Sequence, residues 1–480
     1  MTTKLADKTD WNTVVEWDKK YRLHVEFTDE EYQSIPIART EGDYLITPDG
    51  TRLLDCLNQL ICVNAGQSQP RIQQAIREAT ERYGFLWEYY TTDYNARASK
   101  LLIEDILGPY DWAGKIGYTN SGSESVEMAL MLARVIKNRP MIVTREHAYH
   151  GWTMGAAGAN RLRGLRGGIA SSAQGGEFRP VPGSPFGGYL LAPAPDCFDC
   201  SLGYTYPECK SACGGKLPCV LMTERLIECW GVEQIAGMIT EPIFGASSFF
   251  PPPEYLQQLV SFLHANDILW ICDEVLVGFG RMGTWFAHQL PEFGTVKPDL
   301  MTMAKGIVSS ALPAGGVAIS KELAKTMGNF RWMHVATFAA HPLAMAAVCA
   351  NLELMIEKDG PGCARKAGEY FGAKLKELEA KHKTVGTITG SGVLWTVELV
   401  KNKKTKERFC PEDRILDYTG DLSNLPSRII GAKCIEKNVL LTGFTPNALR
   451  IGFSLFVTKE DMDKAIDALD YALTYLDSLA

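Results

Sequence analysis

The sequence predicts an α/β fold: a large domain on a mostly parallel sheet flanked by helices, and a smaller α+β domain. Between about 115 and 320, short continuous apolar runs alternate with amphipathic stretches, as expected of strands buried on both faces and joined by helices. The runs end in polar or glycine-containing motifs. That lines the polar chemistry along one sheet edge, where open α/β sheets bind ligands. Beyond about 340 the alternation gives way to long helices with isolated strand candidates, which indicates a second unit. At 480 residues the chain exceeds one typical domain. The expected division is an N-terminal segment, 1–65, a large domain, 66–345, and a small α+β domain, 346–480. The first is expected to pack on the last, because neither is large enough to bury a good core alone.

Taken in order, residues 43–66 read as short strands about a Pro48-Asp49-Gly50 turn. Residues 68–83 and 94–106 read as helices. The candidate strands of the large sheet are Ile116–Thr119, Met141–Thr144, Ile235–Thr240, Ile268–Cys272, Asp299–Met303 and Gly315–Ser320. A helix is expected over about 124–137. In the C-terminal part a helix from Pro342 to Met355 precedes the strand candidates Gly392–Val400, Asn438–Thr442 and Leu449–Leu455, and a last helix starts at Lys459.

Composition excludes several classes. With 46% hydrophobic and 22% charged residues the chain reads as an ordinary globular protein. A net charge of -7 argues against nucleic acid as the main partner. No apolar run approaches the ~18 residues that span a bilayer, and the start has no signal-peptide core, so a cytoplasmic location is expected. The 13 cysteines are then expected as reduced thiols, with Cys62, Cys272 and Cys349 buried.

Two residues carry the chemistry. Lys305 follows the apolar strand candidate Asp299–Met303, and Asp273 directly follows five apolar residues, Ile268–Cys272. A desolvated lysine is neutral enough to attack an aldehyde. An acid at the end of a buried strand is costly unless a cation partners it. Together they are what pyridoxal phosphate (PLP) requires: an amine for its aldehyde, and a carboxylate that keeps its pyridine nitrogen protonated. Val275, beside Asp273, could pack on one ring face and Tyr149, in Tyr149-His150-Gly151, on the other. Ser121, Gly122 and Ser123 open a helix after a strand, with a capping-box spacing from Ser121 to Glu124, so the first turn can hold a phosphate. Glu241 ends the strand Ile235–Thr240 and could orient polar groups of the cofactor or pair with an arginine. Thr337 precedes a helix and could reach a phosphate oxygen. Arg450 is a charge inside an apolar strand, placed to grip a carboxylate with both nitrogens. Singly, each has a plain structural alternative: a capped helix start, a core aromatic, a surface charge, a salt bridge.

Taken together and in this order, these stations resemble the class III (omega-type) aminotransferases of the fold-type I PLP-dependent enzymes. The resemblance runs from about residue 35 to 475. Its most specific stretch joins Asp273-Glu274-Val275, Gly278–Arg281, Pro298-Asp299 and Ala304-Lys305-Gly306. It implies a seven-stranded type of sheet and a homodimer with shared sites, and leaves open whether dimers pair into tetramers. It makes Lys305 the Schiff-base lysine and Asp273 the partner of the pyridine nitrogen, with Tyr149 stacked on the ring and His150 beside it. Ser121, Gly122 and Ser123 would hold the phosphate, Thr337 would reach the neighbouring subunit's cofactor, and Arg450 would bind the substrate carboxylate. Three residues depart from the common pattern: Leu276 in place of glutamine, Ala340 in place of glycine and Gln67 in place of histidine. Leu276 looks like the omega-amino acid–pyruvate branch.

The expected reaction moves an amino group from an amine or omega-amino acid to a 2-oxo acid, pyruvate being the expected acceptor, by ping-pong kinetics. Trp87 and Trp152 are expected to narrow the donor pocket. A racemase or epimerase of the same fold is the alternative. No metal is expected at the active site. Cys197-x2-Cys200 with Cys209, Cys213, Cys219 and Cys229 leaves a structural zinc open as the alternative to reduced thiols in an ordered loop.

Overall fold

The computed structural model describes residues 10–24, 32, 34–161, 168–170, 178–180, 187–246, 249–410, 422–441, 443 and 445–480. A seven-stranded sheet forms the centre. Its spatial order is Ala113–Thr119, Gly315–Ser320, Leu300–Met303, Leu269–Asp273, Ile235–Thr240, Met141–Arg145, Tyr189–Ala192. Only Gly315–Ser320 runs against its neighbours; the five strands from Leu300–Met303 to Tyr189–Ala192 pair in parallel. Ile235–Thr240 and Leu269–Asp273 are buried at every position, which explains why they read as unbroken apolar runs. The six expected strands are all present. The seventh, Tyr189–Ala192, was not anticipated: it lies at the sheet edge and exposes Leu191, so it lacks a continuous buried pattern.

Helix Pro342–Glu357 is apolar around its whole circumference and packs against helices Pro70–Arg82 and Asp93–Lys100. The expected helix 94–106 is α-helical to Lys100 and then a π-helical turn over Leu101–Ile106. In the N-terminal part, strands Arg39–Glu41, Tyr44–Ile46 and Arg52–Asp55 form a small sheet around the Pro48-Asp49-Gly50 turn. The rest of that stretch corrects the reading of short strands: Asn58–Ile61 is an irregular turn with positive φ at Asn58, Gln59 and Ile61, and the Asn58 side chain bonds both the N–H and the carbonyl of Val63. Val439–Leu440 joins this sheet in parallel from the far end of the chain. Thr442, the end of the expected strand 438–442, lies outside the described residues. A second small sheet combines Val385–Ser391, also unanticipated, with Leu394–Leu399 and Ala448–Gly452. Cys272 and Cys349 are buried as expected, whereas Cys62 is half-buried. Among the described residues no helix is long and apolar enough to cross a membrane.

One buried cation ties these parts together. The Arg281 guanidinium donates to Asn58 Oδ1 (2.8 Å), to the Phe453 carbonyl (2.9 Å) and to Asn64. Asn64 in turn donates to the carbonyl of Phe279 (2.8 Å). The glycine-rich turn after Asp273 is thereby fastened to both the N-terminal segment and the last small-sheet strand.

Candidate active site

Asp273 is the last residue of a central buried strand. Its Oδ2 lies 2.6 Å from His150 Nδ1. A carboxylate only accepts, so Nδ1 carries the proton. Oδ1 accepts from the Thr302 hydroxyl (2.9 Å), on the adjacent strand, and from the Val275 N–H (3.1 Å). Three donors fix one carboxylate in place. Oδ2 keeps an open lone pair.

Lys305 begins a tight turn just past the end of the neighbouring strand. Its φ of +45° is left-handed, an uncommon conformation for a side chain that clusters at functional sites. Asn351 holds the turn by donating to the carbonyls of Gly306 and Ile307, both at 2.9 Å. Gly306 is required there, since a Cβ would stand 2.6 Å from Asn64 Nδ2. Desolvation first, and the Arg450 cation second, push the Lys305 ammonium down to about 8. A minority of the amine, on the order of a fifth, is therefore neutral near physiological pH, far more than for an ordinary lysine.

Ser121 caps helix Gly122–Lys137, its Oγ accepting from Glu124 N–H at 3.2 Å. The expected capping box closes one residue early: Glu124 Oε2 accepts from the N–H of Asn120 (2.8 Å) rather than Ser121. The first N–H groups of such a helix have no intrahelical partner and attract an anion. Gly122 approaches Val275 so closely that a Cβ would lie 2.7 Å from it, and one on Gly151 would lie 2.5 Å from Ser123 Oγ. The helix start, the Tyr149–Gly151 station and the Asp273–Val275 strand end therefore meet in one place. Tyr149 is half-buried above this junction and His150 is buried.

Glu241 is buried at the end of the Ile235–Thr240 strand. Burial first, and the Asp273 charge second, push its carboxyl up to about 8. Arg145 Nη2 donates to the Glu241 carbonyl at 2.6 Å and stacks its guanidinium 3.9 Å over Phe244. Arginine thus meets Glu241 at its backbone carbonyl and not at its side chain, whose carboxyl is held protonated. The raised pKa means that the native chain keeps a proton the unfolded chain has released between about 4.5 and 8. Stability from this group therefore falls as pH rises through that window. Glu241→Gln is expected to melt progressively above the wild type from pH 5 to 8, with a level difference beyond; a pH series of thermal melts checks this, and a pH-independent difference would refute it.

Arg450, buried on the Ala448–Gly452 strand, donates Nη1 to the Gly245 carbonyl at 2.5 Å. Thr337 is exposed and makes no hydrogen bond among the described residues; His341, not Thr337, caps the following helix. Trp87 and Trp152 are 42% and 80% exposed, so the single chain buries neither ring. Trp152 touches the site through its backbone, donating to Ser123 Oγ at 3.2 Å. Sequence reasoning missed Thr302, Asn64, Asn351 and Arg145. Thr302 and Arg145 left a faint signal, a polar residue within an apolar strand; the two asparagines left none.

The residues present fit PLP: a helix start for phosphate, a fixed carboxylate with an open lone pair, and a desolvated lysine. His150 Nε2 and Glu241 Oε2, both buried, also lack partners among the described residues. Fold and site together define a PLP-dependent enzyme of fold type I. The class-III aminotransferase pattern matches residues 27–473, and the chain belongs to that family. It is similar to the crystal structure of a S-selective transaminase from Arthrobacter sp., at 49% identity and a TM-score of 0.93, over 98% of this chain and 99% of that one. A taurine:2-oxoglutarate aminotransferase from Bifidobacterium kashiwanohense, solved with PLP and glutamate, shares 28% identity, with a TM-score of 0.85 over 97% and 98% of the two chains. A putrescine–pyruvate aminotransferase of Pseudomonas aeruginosa is 30% identical over 78% of each chain. The protein is thus an aminotransferase that uses PLP, an amine donor and an oxo acid acceptor.

Proposed function

We propose that the protein transfers the amino group of a small amine or omega-amino acid to pyruvate, in two half-reactions that share one site. The observation that carries this is the pairing of Leu276, which fills the space beside Gly245, with the buried Arg450 bonded to Gly245. An apolar wall beside one cation suits an amine lacking a carboxylate in one half-reaction and a short oxo acid in the other. Likeness to an S-selective transaminase and to a putrescine–pyruvate enzyme supports the same reading.

Bound PLP supplies an aldehyde for the amine and an electron-accepting ring. Asp273, oriented by His150 and Thr302, would hold a proton on the ring nitrogen. Ser121, Gly122 and Ser123 bind the phosphate at the helix start. Tyr149 and Val275 would face the two sides of the ring, and Glu241 would supply a neutral carboxyl next to Asp273. Lys305 Nζ would hold the aldehyde end of the cofactor and, as a neutral amine, would accept the proton of the amine-bearing carbon. The chain works as a homodimer: Thr337 stands exposed next to Phe338, which packs edge-on against Phe85 at 5.8 Å, and both rings are more than half out of the surface or at its midpoint. Such apolar exposure supports an interface there, at which Thr337 would complete the neighbouring phosphate site and Trp87 and Trp152 would narrow the donor pocket. Pairing of Val439–Leu440 with the N-terminal strands supports the division at 65 and 345, with the outer parts forming one unit.

With an amine and no oxo acid, about one equivalent of carbonyl product per site is expected, followed by arrest until pyruvate is added. Loss of optical purity without carbonyl release would point instead to racemisation. Arg450→Leu is expected to raise the KM for pyruvate by roughly 10²-fold, the ~3 kcal/mol of a charge-assisted bond. The first half-reaction with a simple amine should keep its rate. Equal losses in both halves would remove Arg450 from carboxylate recognition.

A further inference from the structure

Cys197, Cys200, Cys209 and Cys219 line one cavity, yet among the described residues no three of their sulfurs stand within 4.8 Å of one another, so no donor set for a structural zinc is built there. A buried pair of hydroxyls beside the phosphate cradle is better built. Thr119 ends strand Ala113–Thr119, and Ser125 closes the first turn of helix Gly122–Lys137. Both are buried, and their hydroxyl oxygens lie 2.7 Å apart. Ser125 Oγ also lies 3.0 Å from the carbonyl oxygens of Ser121 and Met303. The contact with Ser121 is the ordinary return of a helical serine to the carbonyl four residues back. The contact with Met303 is not local: it joins this helix to the strand that ends two residues before Lys305.

Carbonyls only accept, so the two hydroxyl protons set the direction of this chain. Thr119 donating to Ser125, and Ser125 to Met303, uses both protons at 2.7 and 3.0 Å. The reverse chain ends on the Ser121 carbonyl at 3.2 Å, which already accepts the Ser125 N–H, and leaves Met303 without the serine. Strand Gly315–Ser320 stands between the strands of Thr119 and Met303. Gly315 leaves the passage open: a Cβ there would lie 2.7 Å from both hydroxyl oxygens. Alongside, a Cβ on Gly122 would lie 3.6 Å from that of Ala304, the residue before Lys305. The helix start and the lysine turn are thus neighbours, and Ser125 is a polar tie between them.

We propose that Ser125, oriented by Thr119, is a positioning residue that sets the spacing between the phosphate-binding helix start and Lys305, and with it the affinity for PLP. This rests on the reading that Ser121–Ser123 take the phosphate and Lys305 the aldehyde. PLP is a rigid ring with those two groups on different carbons. Holding one end strengthens the grip on the other only if the second site lies where the first one places it; the gain is an effective concentration fixed by geometry. The two sites belong to different elements, a helix start and a turn after a strand. The cap of Ser121 on Glu124 holds the helix start to itself alone. Ser125 holds it to the Met303 carbonyl, and so to the segment that carries the lysine. A buried tie of this kind is rigid because water cannot compete for it.

The test compares three ligands on the full-length, cofactor-free protein: PLP and pyridoxal by calorimetric titration, and inorganic phosphate by its competition with PLP. PLP engages both ends, pyridoxal only the lysine and phosphate only the helix start. Ser125→Ala is expected to weaken PLP about tenfold, the scale of one buried hydrogen bond, and to leave pyridoxal and phosphate unchanged. Thr119→Val, which removes the orienting donor, should show the same selective loss by a smaller factor, and Thr119→Ser should keep wild-type affinities. Equal losses for all three ligands would make Ser125 a structural residue only and overturn the proposal, as would an unchanged PLP affinity. Where Ser125→Ala does not fold, Thr119→Val decides on the same criteria. A wild type that binds PLP no more tightly than pyridoxal would instead remove the phosphate from the helix start, and the proposal would fall with that reading.

Discussion

Lys305→Ala is expected to stop turnover, lowering kcat by at least the ~10²–10⁴-fold that a positioned general base contributes. The fold should survive. The turn at Lys305 is held by Asn351 through the carbonyls of Gly306 and Ile307, not by the lysine side chain. Stability also separates this role from a structural one. The Lys305 pKa is depressed to about 8 in the native chain, against 10.5 as the ordinary value. Between those limits the unfolded chain binds the extra proton, so stability from this group rises with pH across about 8 to 10.5. Cofactor-free Lys305→Ala lacks that rise. It should melt above the cofactor-free wild type at pH 7.5, with the gap closing by pH 10.5. A variant that turns over at near wild-type rate, or one that melts far below wild type at pH 7.5, would defeat the assignment.

Asp273→Asn is expected to cost ~10³ in kcat, comparable to losing one preorganised electrostatic partner at a reacting centre. The amide keeps the shape, and Thr302 and Val275 can still donate to its oxygen. His150 accommodates the new neighbour by moving its proton to Nε2. What disappears is the charge that keeps a proton on the ring nitrogen. A second readout needs no turnover: the Asp273 charge helps hold Glu241 at about 8. In Asp273→Asn the Glu241-linked change in melting should therefore move to lower pH. An unmoved transition would show that the two carboxyls are not coupled, and an unchanged kcat would remove Asp273 from the chemistry.

The sheet was legible because strands buried on both faces must be apolar throughout. Ile235–Thr240 and Leu269–Asp273 therefore announce themselves, and so does the acid that ends the second of them. Lys305 and Asp273 were legible for the same reason, as charges set against apolar runs. Tyr189–Ala192 was not, because an edge strand with an exposed Leu191 carries no such contrast. Asn64 and Asn351 were silent for another reason. An asparagine that binds a distant carbonyl looks like any loop or helix asparagine until the chain brings Gly278, Phe279 and Gly306 to it.

By itself the sequence determined the α/β class, the strands of the central sheet and the identity of the lysine and the acid. Each is a matter of local contrast between polar and apolar residues, and local contrast survives in a linear string. Tertiary structure alone decided that His150 and Thr302 clamp Asp273, that Glu241 keeps its proton, that Arg145 meets Glu241 by its backbone, and that four of the cysteines close on one cavity. These depend on distance and desolvation between residues far apart in the chain, quantities that exist only once the chain has folded.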